Sequence, residues 1–216
     1  MNPFSYGTIV RGDYFYDRKE ECERIVSTLS NGNNLVLFAP RRYGKTSLVF
    51  RVIDELELQG ITCIYFDFLP VYSLETFVNL YIHAIEKKQS NLQKLVQTIT
   101  AVVKNIRPKL TFDGHGNPEF GIDLMESKIS IETLSEVLDL PEKIAQSGKR
   151  IVVIFDEFQE IIKLNKYGFE NLLRSKIQQQ QKVNYLFLGS RTHLLSDMFN
   201  NKNRAFYNSA SHFQLS

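Results

Sequence analysis

Apolar residues gather in this chain into four short unbroken runs, Leu35–Phe38, Ile61–Phe68, Ile151–Phe155 and Tyr185–Leu188, with a weaker fifth at Phe213–Leu215. None alternates with polar residues, the pattern of strands covered on both faces in a parallel sheet. Between the runs, apolar positions recur at helical spacing. Asp17 is placed as the N-cap of a helix over Arg18–Leu29, with Ile25, Val26 and Leu29 on one side. Thr46–Gln59 repeats Leu48, Val49, Val52, Ile53 and Leu56, and Gly60 marks its C-terminal stop. Ser73 reads as the cap of a long helical region with Phe77, Leu80, Tyr81, Ala84 and Ile85 on one face. A second stripe, Leu92 to Val103, follows the polar break at Gln89–Asn91. A last helix is predicted over about Phe158–Gln181. Strands alternating with helices imply βαβ units with right-handed crossovers.

The segment Arg107–Glu132, with turn-rich Asp113–Pro118 at its middle, leaves this rhythm. It predicts a β-hairpin of Lys109–Phe112 and Glu119–Leu124, projecting from the main sheet within an insertion over about 104–135. The insertion rides on one core and is not a second domain.

Composition narrows the class. A chain of 216 residues, 43% hydrophobic, suits a single α/β domain with an ordinary core. Lys and Arg total 26 against 24 acidic residues, and a net charge of +2 gives no general field for nucleic acid or membrane. Lys163, Lys166, Arg174, Lys176 and Lys182 lack interleaved aromatics, so they read better as a solvated helix face than as a nucleic-acid footprint. Cys22 and Cys63 share no metal or redox spacing and read as buried thiols of a reducing compartment. His83, His115, His193 and His212 show no shared ligand spacing. The N-terminus has no basic leader before an apolar segment, and no run approaches the roughly 20 residues of a membrane helix. A soluble, cytoplasmic chain is the expectation.

The stretch LVLFAPRRYGKTSLV, Leu35–Val49, carries the candidate chemistry. It nearly matches the phosphate-loop pattern G-x-x-x-x-G-K-[ST], with Ala39 in place of the first glycine. Ala39 precedes Pro40, so its backbone is biased to extended geometry, where alanine is accepted as readily as glycine. Pro40 has no N–H. The phosphate cradle therefore falls to the amides of about Arg42, Tyr43, Gly44, Lys45, Thr46 and Ser47, at a helix N-terminus. Lys45 is placed to reach the β- and γ-phosphates and Thr46 to ligate Mg²⁺. As a bare pattern the stretch also fits a basic turn before an ordinary helix.

A second motif breaks that tie. RIVVIFDEFQEI, Arg150–Ile161, is an apolar strand ending in Asp156-Glu157. A carboxylate at a buried strand's C-terminal end, on the loop's own edge, is where Mg²⁺ must be held. Asp156 would bind Mg²⁺ through water and Glu157 would orient or deprotonate the attacking water. The structural alternative makes Asp156 the cap of the following helix. The fourth strand ends in Gly189-Ser190-Arg191, polar residues placed to face a γ-phosphate. Arg191 fits transition-state charge stabilisation and a surface cap equally well. Asn201–Ala210 reads as a connecting loop with Arg204 available to a neighbouring subunit.

Together, YFYDRKEECERI, APRRYGKTSLV, RIVVIFDEFQEI and YLFLGSRTHLL resemble the archaeal-type ATPase family, in the AAA+-related, STAND-like branch of P-loop NTPases. The resemblance runs from Asn2 to Leu215. It implies a three-layer αβα sandwich with parallel sheet order 5-1-4-3-2, ATP with Mg²⁺ as ligand, and Glu157 as the catalytic glutamate. It also implies that Tyr16, Asp17 and Arg18 lie near the adenine and that the position of Arg191 senses the γ-phosphate. Family members continue past the fifth strand into a helical lid. On that comparison this chain, ending at Ser216, is expected to be one AAA-type core over 1–216 without a lid, holding ATP weakly and turning it over slowly.

Three functions follow from these readings. The first is an ATP-dependent, Mg²⁺-dependent hydrolase core acting as a switch. The second is a nucleotide-binding scaffold without turnover that acts through a protein partner on the hairpin, or through self-association. The third is a small-molecule kinase, ranked last because Glu157 beside Asp156 suits water activation better than transfer to an acceptor.

Overall fold

Burial on both faces is what the unbroken apolar runs require, and the structure supplies it with helices on either side of one sheet. The computed structural model describes residues 18–40, 43–89, 91–112, 118–125, 128–145 and 148–215. In chain order the elements begin with α1 (Lys19–Ser30), β1 (Leu35–Phe38), α2 (Lys45–Leu58), β2 (Thr62–Asp67), α3 (Leu74–Glu86) and α4 (Leu92–Val102). The hairpin β3 (Ile106–Phe112) and β4 (Pro118–Leu124) follows, then α5 (Ile131–Ala145) and β5 (Ile151–Asp156). A 3-10 helix (Phe158–Tyr167), α6 (Phe169–Gln179), β6 (Val183–Gly189), α7 (Thr192–Asn200) and β7 (Ser211–Gln214) complete it.

All pairings in the main sheet are parallel, in the order β2-β5-β6-β1-β7. That differs from 5-1-4-3-2 as written because the hairpin strands take two numbers. Counting main-sheet strands alone, the order from the β7 edge is 5-1-4-3-2. Strand alternation divides the core into two layers. Leu35, Leu37, Cys63, Val152, Ile154, Leu186 and Leu188 face α1 and α2. Val36, Ile64, Phe66, Val153, Phe155, Tyr185 and Phe187 face the layer of α3, α5 and α6. The second layer holds a connected cluster of rings: Phe155 meets Phe68 edge-on at 5.2 Å and Tyr185 at a tilt at 5.5 Å. Burying one such side chain contributes about 1.5–3 kcal/mol.

Helix ends follow local chemistry. Ser73 caps α3 as expected, its Oγ accepting the Thr76 N–H at 3.2 Å. Gly60, at φ 77°, closes α2, which ends at Leu58. Asp17 lies outside the described residues. Two expectations change. The single helix over 158–181 is a 3-10 helix and α6, separated by Gly168, whose left-handed backbone (φ 69°, ψ 21°) cannot continue a helix. α5 was not foreseen; Pro141 lies in its interior, lacks the N–H to bond Val137 and conceals the helical stripe. Among the described residues, no helix is long and apolar enough to cross a membrane.

Candidate active site

Parallel strands bring their C-terminal ends to one edge, the edge where ligands bind in open α/β sheets. β1 runs out through Ala39 and Pro40 toward Gly44, whose left-handed backbone (φ 70°, ψ 15°) turns the chain into α2 at Lys45. Gly44, at the N-cap, brings no side chain of its own to this helix end. The N–H groups of that end point to the place where phosphate oxygens are stabilised by helix termini.

Lys45 is only 8% exposed. Its Nζ donates to Asp156 Oδ1 at 2.7 Å and to Glu157 Oε1 at 3.2 Å. Asp156 ends β5 and is 6% exposed; alternation along β5 sends it to the α2 face, toward Lys45. Its Oδ1 also accepts the Glu157 N–H at 2.8 Å, and its Oδ2 accepts the Tyr65 hydroxyl at 2.6 Å. Burial first, and the Asp156 charge second, push the Tyr65 phenol far above its ordinary pKa, so it stays a donor. Asp67 pairs in register with Asp156, and burial raises its carboxyl pKa.

Glu157 has left-handed backbone (φ 48°, ψ 41°), uncommon for a residue with a side chain, and it breaks the chain sharply out of β5. Asp156 is therefore not a side-chain cap of a following α-helix. Glu157 Oε2 accepts Gln159 Nε2 at 2.5 Å and the Ser190 hydroxyl at 2.8 Å. Burial raises the Glu157 pKa, but the Gln159 hydrogen bond, the Lys45 charge and Ser190 outweigh it and hold the carboxyl below its usual range.

The structure thus assembles Lys45, Asp156, Glu157 and Ser190 from α2, β5 and the turn after β6. It pairs Arg191 elsewhere: its Nη1 lies 3.9 Å from Glu160 Oε1, with the side chain 53% exposed. Thr46 stands in the first turn of α2, and Tyr43 is exposed. Arg18 stands at the N-cap of α1 with Nη1 buried and unpartnered among the described residues. Arg42 and Asp17 lie outside the described residues. Arg204, expected to face a neighbour, bonds within the chain to Glu170 at 2.8 and 3.1 Å and to Asp197 at 3.1 Å. Sequence reasoning missed Tyr65 and Gln159. Strand alternation carried the signal for Tyr65, since it puts Tyr65 and Asp67 on the α2 face beside Asp156.

Among the described residues, no group of three or more His, Cys, Asp or Glu side chains stands ready to hold a metal alone. Thr46 and Asp156 are hard oxygen donors of the kind Mg²⁺ takes when phosphates and water complete its shell. Donor chemistry and the position of the α2 N-terminus at the sheet's C-terminal edge fit a metal-bound polyphosphate.

A family model described as an ATPase domain predominantly from Archaea matches residues 15–205. The chain is 26% identical over 203 residues to an uncharacterized ATP-binding protein of Pyrococcus horikoshii, covering 87% of this chain and 58% of that protein. The Walker-type ATPase of Pyrococcus abyssi is similar in structure, with TM-score 0.62 and 19% identity over 98% of this chain and 57% of its own. The ORC2 protein of Aeropyrum pernix, solved in ADPNP–ADP complexes, gives TM-score 0.56 and 16% identity over 99% and 51%. These structural likenesses establish the fold. The chain spans a little over half the length of the relatives it matches.

Proposed function

We infer a nucleotide-driven activity from one premise, that this chain belongs to the ATPase domain family found predominantly in Archaea. The reading is a Mg²⁺-dependent ATPase core that acts as a switch. The observation that carries it is the meeting of Lys45 with Asp156 and Glu157 at the sheet's C-terminal edge. In the proposed cycle, Lys45 leaves the carboxylates for the β- and γ-phosphates, above the N–H groups of Gly44 to Ser47. Thr46 and Asp156 would hold Mg²⁺, which would supply charge neutralisation at the transferring phosphoryl group. Glu157, relieved of Lys45, accepts a proton from the attacking water through Oε1. Ser190 keeps the carboxylate aimed, and Arg191 must exchange Glu160 for the phosphates before it can serve them.

The test is MgATP binding and phosphate release. Lys45→Ala is expected to lose measurable MgATP binding. Glu157→Gln is expected to keep binding and lose at least about a hundredfold in kcat, the usual contribution of a positioned base. Binding unchanged in the first, or turnover unchanged in the second, removes the assigned role.

The full bonding of Glu157 favours one second reading, a scaffold that holds ATP without turnover and signals to a protein partner or a second copy. Measurable ATP affinity with no phosphate release at any protein concentration would select it.

A further inference from the structure

The 3-10 helix after Glu157 carries a buried amide whose two ends are treated differently. Gln159 is 2% exposed. Its Nε2 donates to Glu157, while its Oε1 is buried without a hydrogen-bond partner among the described residues. An acceptor left so costs about 1–3 kcal/mol. Turning the amide over would set Oε1 against the Glu157 carboxylate, oxygen against oxygen, so the donor end is held toward Glu157. In the observed orientation Oε1 occupies the place that a Cβ at position 189 would take. Gly189 is the last residue of β6 and has no positive φ. Its glycine is demanded by space, not by backbone torsion, and its Cα–H offers Oε1 at most a weak contact.

We propose that Gln159 is a positioning residue for Glu157 and that Gly189 is the seat that allows it. This rests on the reading of Glu157 as the group that accepts the water proton. The two carboxylate oxygens have different partners. Oε2 takes the Gln159 amide, the Ser190 hydroxyl and, at 3.5 Å, the Ser190 N–H. Oε1 takes Lys45. When phosphates draw Lys45 away, Oε1 alone is released and Oε2 stays anchored. The left-handed backbone of Glu157 gives its side chain no helical neighbours to orient it, so these donors set its direction. Gln159 thereby decides which oxygen meets the water, and Gly189 couples that choice to the end of β6.

Gln159→Met keeps the length and removes the donor. Gly189→Ala drives the amide off its seat. Each is expected to lower kcat about tenfold to a hundredfold, the scale of a small misplacement of a reacting group, with KM for MgATP within about twofold. In a Gln159→Ala background the clash with the amide is gone and only Leu195 Cδ2, 3.2 Å from the added methyl, has to give, so Gly189→Ala is expected to cost clearly less than in the parent chain. A double-mutant cycle reads this in kcat and also in urea unfolding of the four proteins without nucleotide. Additive effects in both readouts overturn the proposal, as does a rise in KM with kcat unchanged. Lost turnover in Glu157→Gln beside unchanged kcat in Gln159→Met overturns it alone. Full turnover in Glu157→Gln overturns the role of Glu157 and this proposal with it.

Discussion

A single hydroxyl on β2 shows how closely the site's charges are managed. Tyr65 closes the one side of Asp156 that Lys45 and the Glu157 N–H leave open, and its ring stacks on Phe50 of α2 at 5.4 Å. Tyr65→Phe keeps that ring and strips Asp156 Oδ2 of its donor. The expected loss is about 1–3 kcal/mol in urea unfolding, the penalty of an unmet buried acceptor; an unchanged midpoint would show that solvent takes the hydroxyl's place. At this scale the meeting of Lys45 with Asp156 and Glu157 was legible, because the two motifs lie at the C-terminal ends of separate parallel strands. Alternation gave only the face of Tyr65, and Gln159 was hidden altogether, for physical reasons. Tyr65 acts across two strands, which requires register. Gln159 acts through a left-handed turn at Glu157 that no periodicity announces.

Elements were legible wherever a cap or a stop residue was local. Ser73 is the clearest case, and Ser73→Ala should cost about 0.5–2 kcal/mol in urea unfolding through the lost bond to Thr76 N–H. A core change such as Phe155→Ala should cost about 3–5 kcal/mol, because Phe155 is fully buried among rings of β2, β6 and the 3-10 helix. A similar cost for the two would contradict the burial of Phe155 in a close-packed core. The break at Gly168 was less legible. Apolar residues continue on both sides of it, at Leu164 and Phe169, so the stripe runs on while the backbone does not. The hairpin shows the reverse: its turn residues announced it, and pairing from Ile106↔Leu124 to Phe112↔Pro118 extends it at both ends.

At the scale of the whole molecule, sheet order and two-layer burial were legible from alternating βαβ patterns and from resemblance. The partners of Arg191 and Arg204 were not, since both are set by side chains distant in sequence. The same scale governs the charge balance of the site. In this structure Lys45 is the counter-ion of Asp156 and Glu157, one ammonium against two carboxylates. A polyphosphate can recruit that ammonium only by taking it from them. Binding is then an exchange of ion partners, and it balances when a divalent cation arrives with the phosphates. Chelating Mg²⁺ is expected to weaken ATP affinity at least about a hundredfold in a calorimetric titration, from the roughly 3–5 kcal/mol cost of breaking a buried pair. Equal affinity with and without Mg²⁺ would mean the carboxylates need no replacement cation. On the proposed reading the ammonium is a gate on ionic identity: the chain would select its nucleotide by the ion that travels with it.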